Sequence, residues 1–122
     1  MNYEERIKNL ASKSKYIQLY KPATFDLILR SENKLVGCKI APELREIYKI
    51  TNGAGFLDYG LVGCKNHKIL DIAENTLDIW CANNNLCSAF VGFISTSGGE
   101  NFGYLPEIKN KSGSYPVAYL QN

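Results

Sequence analysis

Apolar residues recur at helical spacing through the first half of this chain and in short strand-like runs through the second, so the sequence divides into two regimes. Over "YEERIKNLASK", Ile7, Leu10 and Ala11 share one face and charges fill the rest, which predicts a short surface helix. After Pro22, "ATFDLILRSENKLVG" places Phe25, Ile28, Leu29 and Leu35 near spacings of three and four, with Gly37 as the stop signal, and predicts a second helix. A third begins at Pro42, whose missing N–H is harmless in a first turn, followed by Glu43, which complements the helix dipole. Its buried stripe is Leu44, Ile47 and Tyr48, and Asn52-Gly53 reads as its left-handed C-cap. The stretch "GAGFLDYG" behind that cap reads as a loop held between a helix end and a strand.

Beyond Gly60 the runs "LVGC" and "HKILDI" look like a hairpin. Asp71 followed by Glu74 resembles a capping box with Asp in the Ser/Thr position, so a short helix is expected to carry Leu77 and Trp80 into the core until Asn83–Asn85 ends it. "SAFVGFIS", "ENFGYLPEI" and "YPVAYL" read as successive strands joined by turns at "TSGG" and "KNKSG". The last strand sets Tyr115, Val117 and Tyr119 on one face, and Pro106 and Pro116 belong at strand ends or edges. The predicted class is α+β: N-terminal helices packed on a mostly antiparallel, meander-type sheet, with one short helix inserted between strands. A chain of 122 residues has the bulk for one core, so residues 1–122 are read as a single domain.

Composition narrows the function mainly by exclusion. Fourteen basic and twelve acidic residues give a net charge of +2 without blocks of either sign, so there is no basic stripe for a phosphate backbone and direct nucleic-acid binding is not expected. Trp80 and the eight tyrosines are assigned to the core and to an interface, since no Lys/Arg cluster accompanies them along a strand. The charged N-terminal stretch lacks the apolar run of a signal peptide, and no segment approaches the ~20 apolar residues of a membrane span, so a cytoplasmic protein without membrane contact is expected. Cys38, Cys64, Cys81 and Cys87 contain no C-x-x-C pair and read as reduced, buried thiols. A zinc site from Cys64, His67, Cys81 and Cys87 has one plausible spacing, Cys64 to His67, but the Cys81–Cys87 gap is too wide, so no metal is assigned.

Catalytic chemistry finds little to work with. His67, the only histidine, sits between Asn66 and Lys68 in what reads as an exposed turn, and Glu100 has no second carboxylate near it in sequence. "STSGGENFG" lacks the Gly-Lys-Ser/Thr ending of a P-loop and the strand-to-helix setting of a dinucleotide fingerprint, so no cofactor is expected.

The order of segments resembles the SUKH superfamily. The carriers are Glu32, Leu35, Ile40, Pro42, Leu44, Tyr48, Asn52 and Gly53 within "SENKLVGCKIAPELREIYKITNGAGFLDYGLVG", with Ala41 interposed before the proline, then "HKILDIAENTLDIW" and "FVGFISTSGGENFGYL". The likeness runs from about Phe25 to Leu120 and implies helices on a mostly antiparallel sheet. Bacterial members serve largely as immunity proteins that neutralise polymorphic toxins, often nucleases, and eukaryotic relatives include a cell-wall synthesis regulator. Two features depart from the pattern: Glu100-Asn101 stands where the family often has Gly-Asp, and no extra helix follows the last strand before Asn122. The second departure is expected to leave the last strand as an open edge, a place for a partner to pair or for a second copy to form a homodimer.

The expectation is therefore a non-enzymatic protein-binding module, an immunity protein whose partner is a cognate toxin domain. The alternatives are a scaffold or regulatory domain for an endogenous protein, or a small enzyme using His67 or Glu100. The partner-binding residues expected are Phe56, Asp58 and Tyr59 on the "GAGFLDYG" stretch, with Glu100 and Asn101 from the neighbouring turn. For Phe56 the alternative of plugging the core beneath the helix end stays open.

Overall fold

A computed structural model describes residues 2–36, 38–65 and 70–121. The elements in chain order are α1 (Tyr3–Ser12), β1 (Ile17–Leu19), α2 (Phe25–Lys34), α3 (Pro42–Tyr48), β2 (Ala54–Phe56), β3 (Tyr59–Leu61), α4 (Ile72–Ala82), β4 (Val91–Thr96), β5 (Asn101–Tyr104) and β6 (Ala118–Leu120). The strands form one six-stranded sheet in the order β1-β2-β3-β4-β5-β6, with every neighbouring pair antiparallel. The fold is α+β, and α4 is the helix inserted between strands of the meander.

Side chains start most of the helices. Asn2 accepts from Glu5 N–H at 2.8 Å, Thr24 from Leu27 N–H at 3.2 Å and Asp71 from Glu74 N–H at 3.0 Å, each satisfying a donor that the first turn leaves open. Asp71 is thus the N-cap that its spacing to Glu74 predicts. Helix α3 has no side-chain cap and opens on Pro42 instead.

One main core joins the helices to the sheet, with Ile28, Leu35, Leu44, Tyr48, Ile79, Trp80, Phe90 and Val91 buried together. Helix α4 is stapled to β4 by three polar side chains. Trp80 Nε1 donates to Phe90 O at 2.7 Å, Thr76 Oγ1 accepts from Gly92 N–H at 3.1 Å, and Asn75 Nδ2 donates to Gly92 O at 3.1 Å. Glu32 on α2 is buried and takes both Ile40 N–H, at 2.8 Å, and the Arg45 guanidinium, which ties α2 to α3. In α2 the buried face is Ile28, Ser31, Glu32 and Leu35, whereas Phe25 and Leu29 of the expected apolar face point to solvent.

The "ITNGAGFLDYG" region folds differently from its sequence reading. Helix α3 stops at Tyr48, and Ile50 N–H and Thr51 N–H close the last turn on Ile47 O at 2.9 and 2.8 Å, so Asn52-Gly53 is not its cap. Asn52 is a buried clamp: Nδ2 donates to Cys64 O at 3.1 Å and Oδ1 accepts from Cys64 N–H at 2.6 Å. Gly53 does adopt a positive φ of 98°, but as the entry to β2, and a Cβ there would meet Leu61 O at 2.7 Å. The "loop" is itself a hairpin, β2 turning through Leu57-Asp58 into β3. Leu61 belongs to β3, and the hairpin expected of "LVGC" and "HKILDI" reduces, among the described residues, to a single parallel bridge from Gly63 to Asp71.

Candidate functional site

Register across the meander decides which side chains share a face. Leu19, Ala54, Leu61, Ile94, Phe102 and Tyr119 are successive Cα partners from β1 to β6, and Ile17, Phe56, Tyr59 and Thr96 form the adjoining row. Side chains alternate along each strand, so these two rows project from the same side of the sheet. That side is the one opposite α4, and its partial cover is α1, which packs against β1 and α3, together with Ile47 of α3 itself.

The cover is incomplete. Between α1 and the strands runs an apolar groove of about 580 Å³, lined by Ile7 and Leu10 from the helix and by Phe56, Tyr59, Ile94 and Phe102 among the strand residues. No residue of α1 is fully buried, and Leu10 remains 57% exposed although it borders the groove. Phe56, Tyr59 and Tyr119 are 42, 52 and 51% exposed. Tyr119 stacks on Phe102 with ring centroids 5.1 Å apart, so the aromatic surface continues to the sheet edge.

The expected partner-binding residues distribute as follows. Phe56 and Tyr59 line the groove, which answers the open alternative for Phe56: it is surface, not a plug under the helix end. Asp58 is exposed at the hairpin tip and borders a second depression with Tyr16, Gln18 and Tyr20. The two turns meet at one end of the sheet, Ser97 N–H donating to Asp58 O at 3.3 Å. Glu100 accepts the Tyr119 hydroxyl, and this bond holds the phenol above its ordinary pKa range. Asn101 departs from the group. The pleat turns it to the opposite side, where it is buried and its Oδ1 accepts from Asn75 Nδ2 at 2.9 Å, so it braces α4 and does not reach this surface.

Ile94, Phe102 and Tyr119 complete the surface. Their place was unreadable without strand register, although the alternation in "YPVAYL" does put Tyr119 on one face with Tyr115. Tyr115 packs on Tyr104 at 4.9 Å, further along that same side.

The cysteines do not assemble. Cys38 and Cys64 are buried, while Cys81 and Cys87, expected inside, are exposed because they fall at the end of α4 and after the turn behind it. Burial pushes the Cys64 thiol up to about 12. No group of three His, Cys, Asp or Glu side chains is placed to hold a metal among the described residues, and His67 lies outside them. None of the described helices is long and apolar enough to cross a membrane.

Comparison with models of protein families and with curated proteins returns no match.

Proposed function

We propose that this protein is a non-enzymatic, SUKH-type binding module that acts as a bacterial immunity protein, neutralising a cognate toxin domain through the aromatic face of its sheet. One observation carries the reading. A contiguous apolar surface from Phe56 through Tyr59 and Phe102 to Tyr119 is left open beside α1, whereas α4 packs on β4 from the other side of the sheet. Tyr-rich apolar surfaces edged by polar groups are the composition of interface centres, because Tyr buries a large ring at the cost of few rotatable bonds and keeps a hydroxyl for pairing. With a net charge of +2, shape and these anchors carry the affinity, not bulk charge.

Co-expression with the cognate toxin domain is the test. Wild type is expected to rescue growth, and Tyr59→Ala, an exposed change that leaves the core untouched, is expected to rescue poorly at equal protein level. Growth arrest with both forms, together with no binding in vitro, would remove the immunity reading and favour a scaffold for an endogenous partner.

A further inference from the structure

We infer that the open half of this sheet face receives an amphipathic helix of the partner protein, with Lys or Arg flanking the helix's apolar stripe. The inference rests on the proposed function only for the existence of a protein partner; the form of the contacting segment follows from three features of the surface.

The first is backbone accounting. Strands β3, β4 and β5 each pair on both sides, so the sheet face offers no free N–H or C=O groups to a visiting chain. A segment that lies on it and loses water must satisfy its own backbone, which a helix does and an isolated extended strand does not.

The second is room. From β3 to β6 there are three strand spacings, about 14 Å, which accommodates one helix of about 10 Å diameter beside α1 and past Ile47 of α3 at the groove's inner wall.

The third is charge. The six strands contain no Lys or Arg. Asp58 and Glu100 stand where the two turns meet, and neither makes an ion pair among the described residues. On α1, Lys8 is occupied by Glu4 at 2.9 Å, while exposed Arg6 makes no ion pair among the described residues, so the acidic character is confined to the corner where the turns meet. A basic flank on the incoming helix would find these two carboxylates, whereas an acidic flank or an anionic lipid surface would be repelled.

The probes are two designed helical peptides of about 18 residues with the same leucine stripe, one flanked by Lys and one by Glu. Each is titrated by fluorescence anisotropy into the full chain at low and physiological salt. The expected result is binding of the Lys peptide at least about fivefold tighter than the Glu peptide, with the preference shrinking as salt rises. In D58N/E100Q the preference should vanish while residual binding persists, and Tyr59→Ala should weaken both peptides.

Equal affinity for the two peptides, binding of neither, or a preference untouched by D58N/E100Q would overturn the inference. So would sedimentation showing a dimer that dissociates on Tyr59→Ala, since a second copy would then hold the face. Tyr59-dependent toxin neutralisation without any Lys-peptide preference would leave the binding-module reading standing and remove only the helix; loss of both results would remove both.

Discussion

Replacing Asn52 by Ala tests whether the "NG" pair is a tertiary clamp or a helix ending. In a cap role the Asn52 side chain matters little, because a left-handed C-cap uses backbone bonds. In the observed structure it makes two side-chain bonds to one buried residue, donating to Cys64 O at 3.1 Å and accepting from Cys64 N–H at 2.6 Å. The Ala variant leaves that N–H and C=O unpaired in a buried setting, each costing about 1–3 kcal/mol, so a total loss of about 2–6 kcal/mol is expected. For 122 residues each kcal/mol corresponds to about 4 °C, so the melting temperature should fall by roughly 8–24 °C. Urea titration followed by far-UV circular dichroism provides the free energy, with the exposed Asn85→Ala as reference. An Asn52→Ala midpoint within about 0.5 kcal/mol of wild type would show that the clamp contributes nothing and refute the reasoning.

Gly53→Ala should cost more than 1 kcal/mol, since the added Cβ meets both a positive φ and Leu61 O at 2.7 Å; an unchanged urea midpoint would count against the geometry of β2 entry. Thr76→Val is nearly isosteric but strips Gly92 N–H of its acceptor, so about 1–3 kcal/mol should be lost, read by the same melts. Native protein should show two thiols reactive to Ellman's reagent, Cys81 and Cys87, and four only after denaturation. Burial raises the Cys64 pKa from 9.0 to about 12 and also raises Tyr48 and Tyr104. Above pH 9 the unfolded chain therefore releases protons that the folded chain retains, and stability should be full below that pH and decline between about pH 9 and 12, as urea melts across that range would report.

The elements that sequence predicted best are those whose signal is local. Asp71 before "IAENTLDIW" gave both the start of α4 and the burial of Trp80, and the glycine-serine turns placed β4, β5 and β6. Strand β1 was missed because three residues containing Gln18 carry too little alternation to register. The β2–β3 hairpin was missed because its turn is Leu57-Asp58, with Leu57 at a φ of 53° that leucine rarely adopts, in place of the Asn-Gly or Asp-Gly that marks such turns. Asn52-Gly53 supplied that familiar signal a few residues early and drew the boundary of α3 with it.

The candidate surface was half legible for a related reason. Phe56 and Tyr59 stood out as aromatics in a short polar context, but grouping them with Ile94, Phe102 and Tyr119 depends on pairing between strands whose partnered residues lie up to 37 positions apart, as Tyr59 and Thr96 do, and pairing register is a long-range property. The same property sends Asn101 to the α4 side while its neighbour Phe102 faces the groove.

The central claim is that the sheet face beside α1 is where the partner binds, and calorimetric titration of the proposed cognate toxin domain tests it most directly. Tyr59→Ala and Tyr119→Ala should each weaken binding by roughly 1–3 kcal/mol, about tenfold or more, with the melting temperature nearly unchanged, while Phe25→Ala, a still more exposed aromatic on α2, should bind as wild type does. Full affinity in both tyrosine variants, or a loss confined to Phe25→Ala, would contradict the account and move the interface off the sheet.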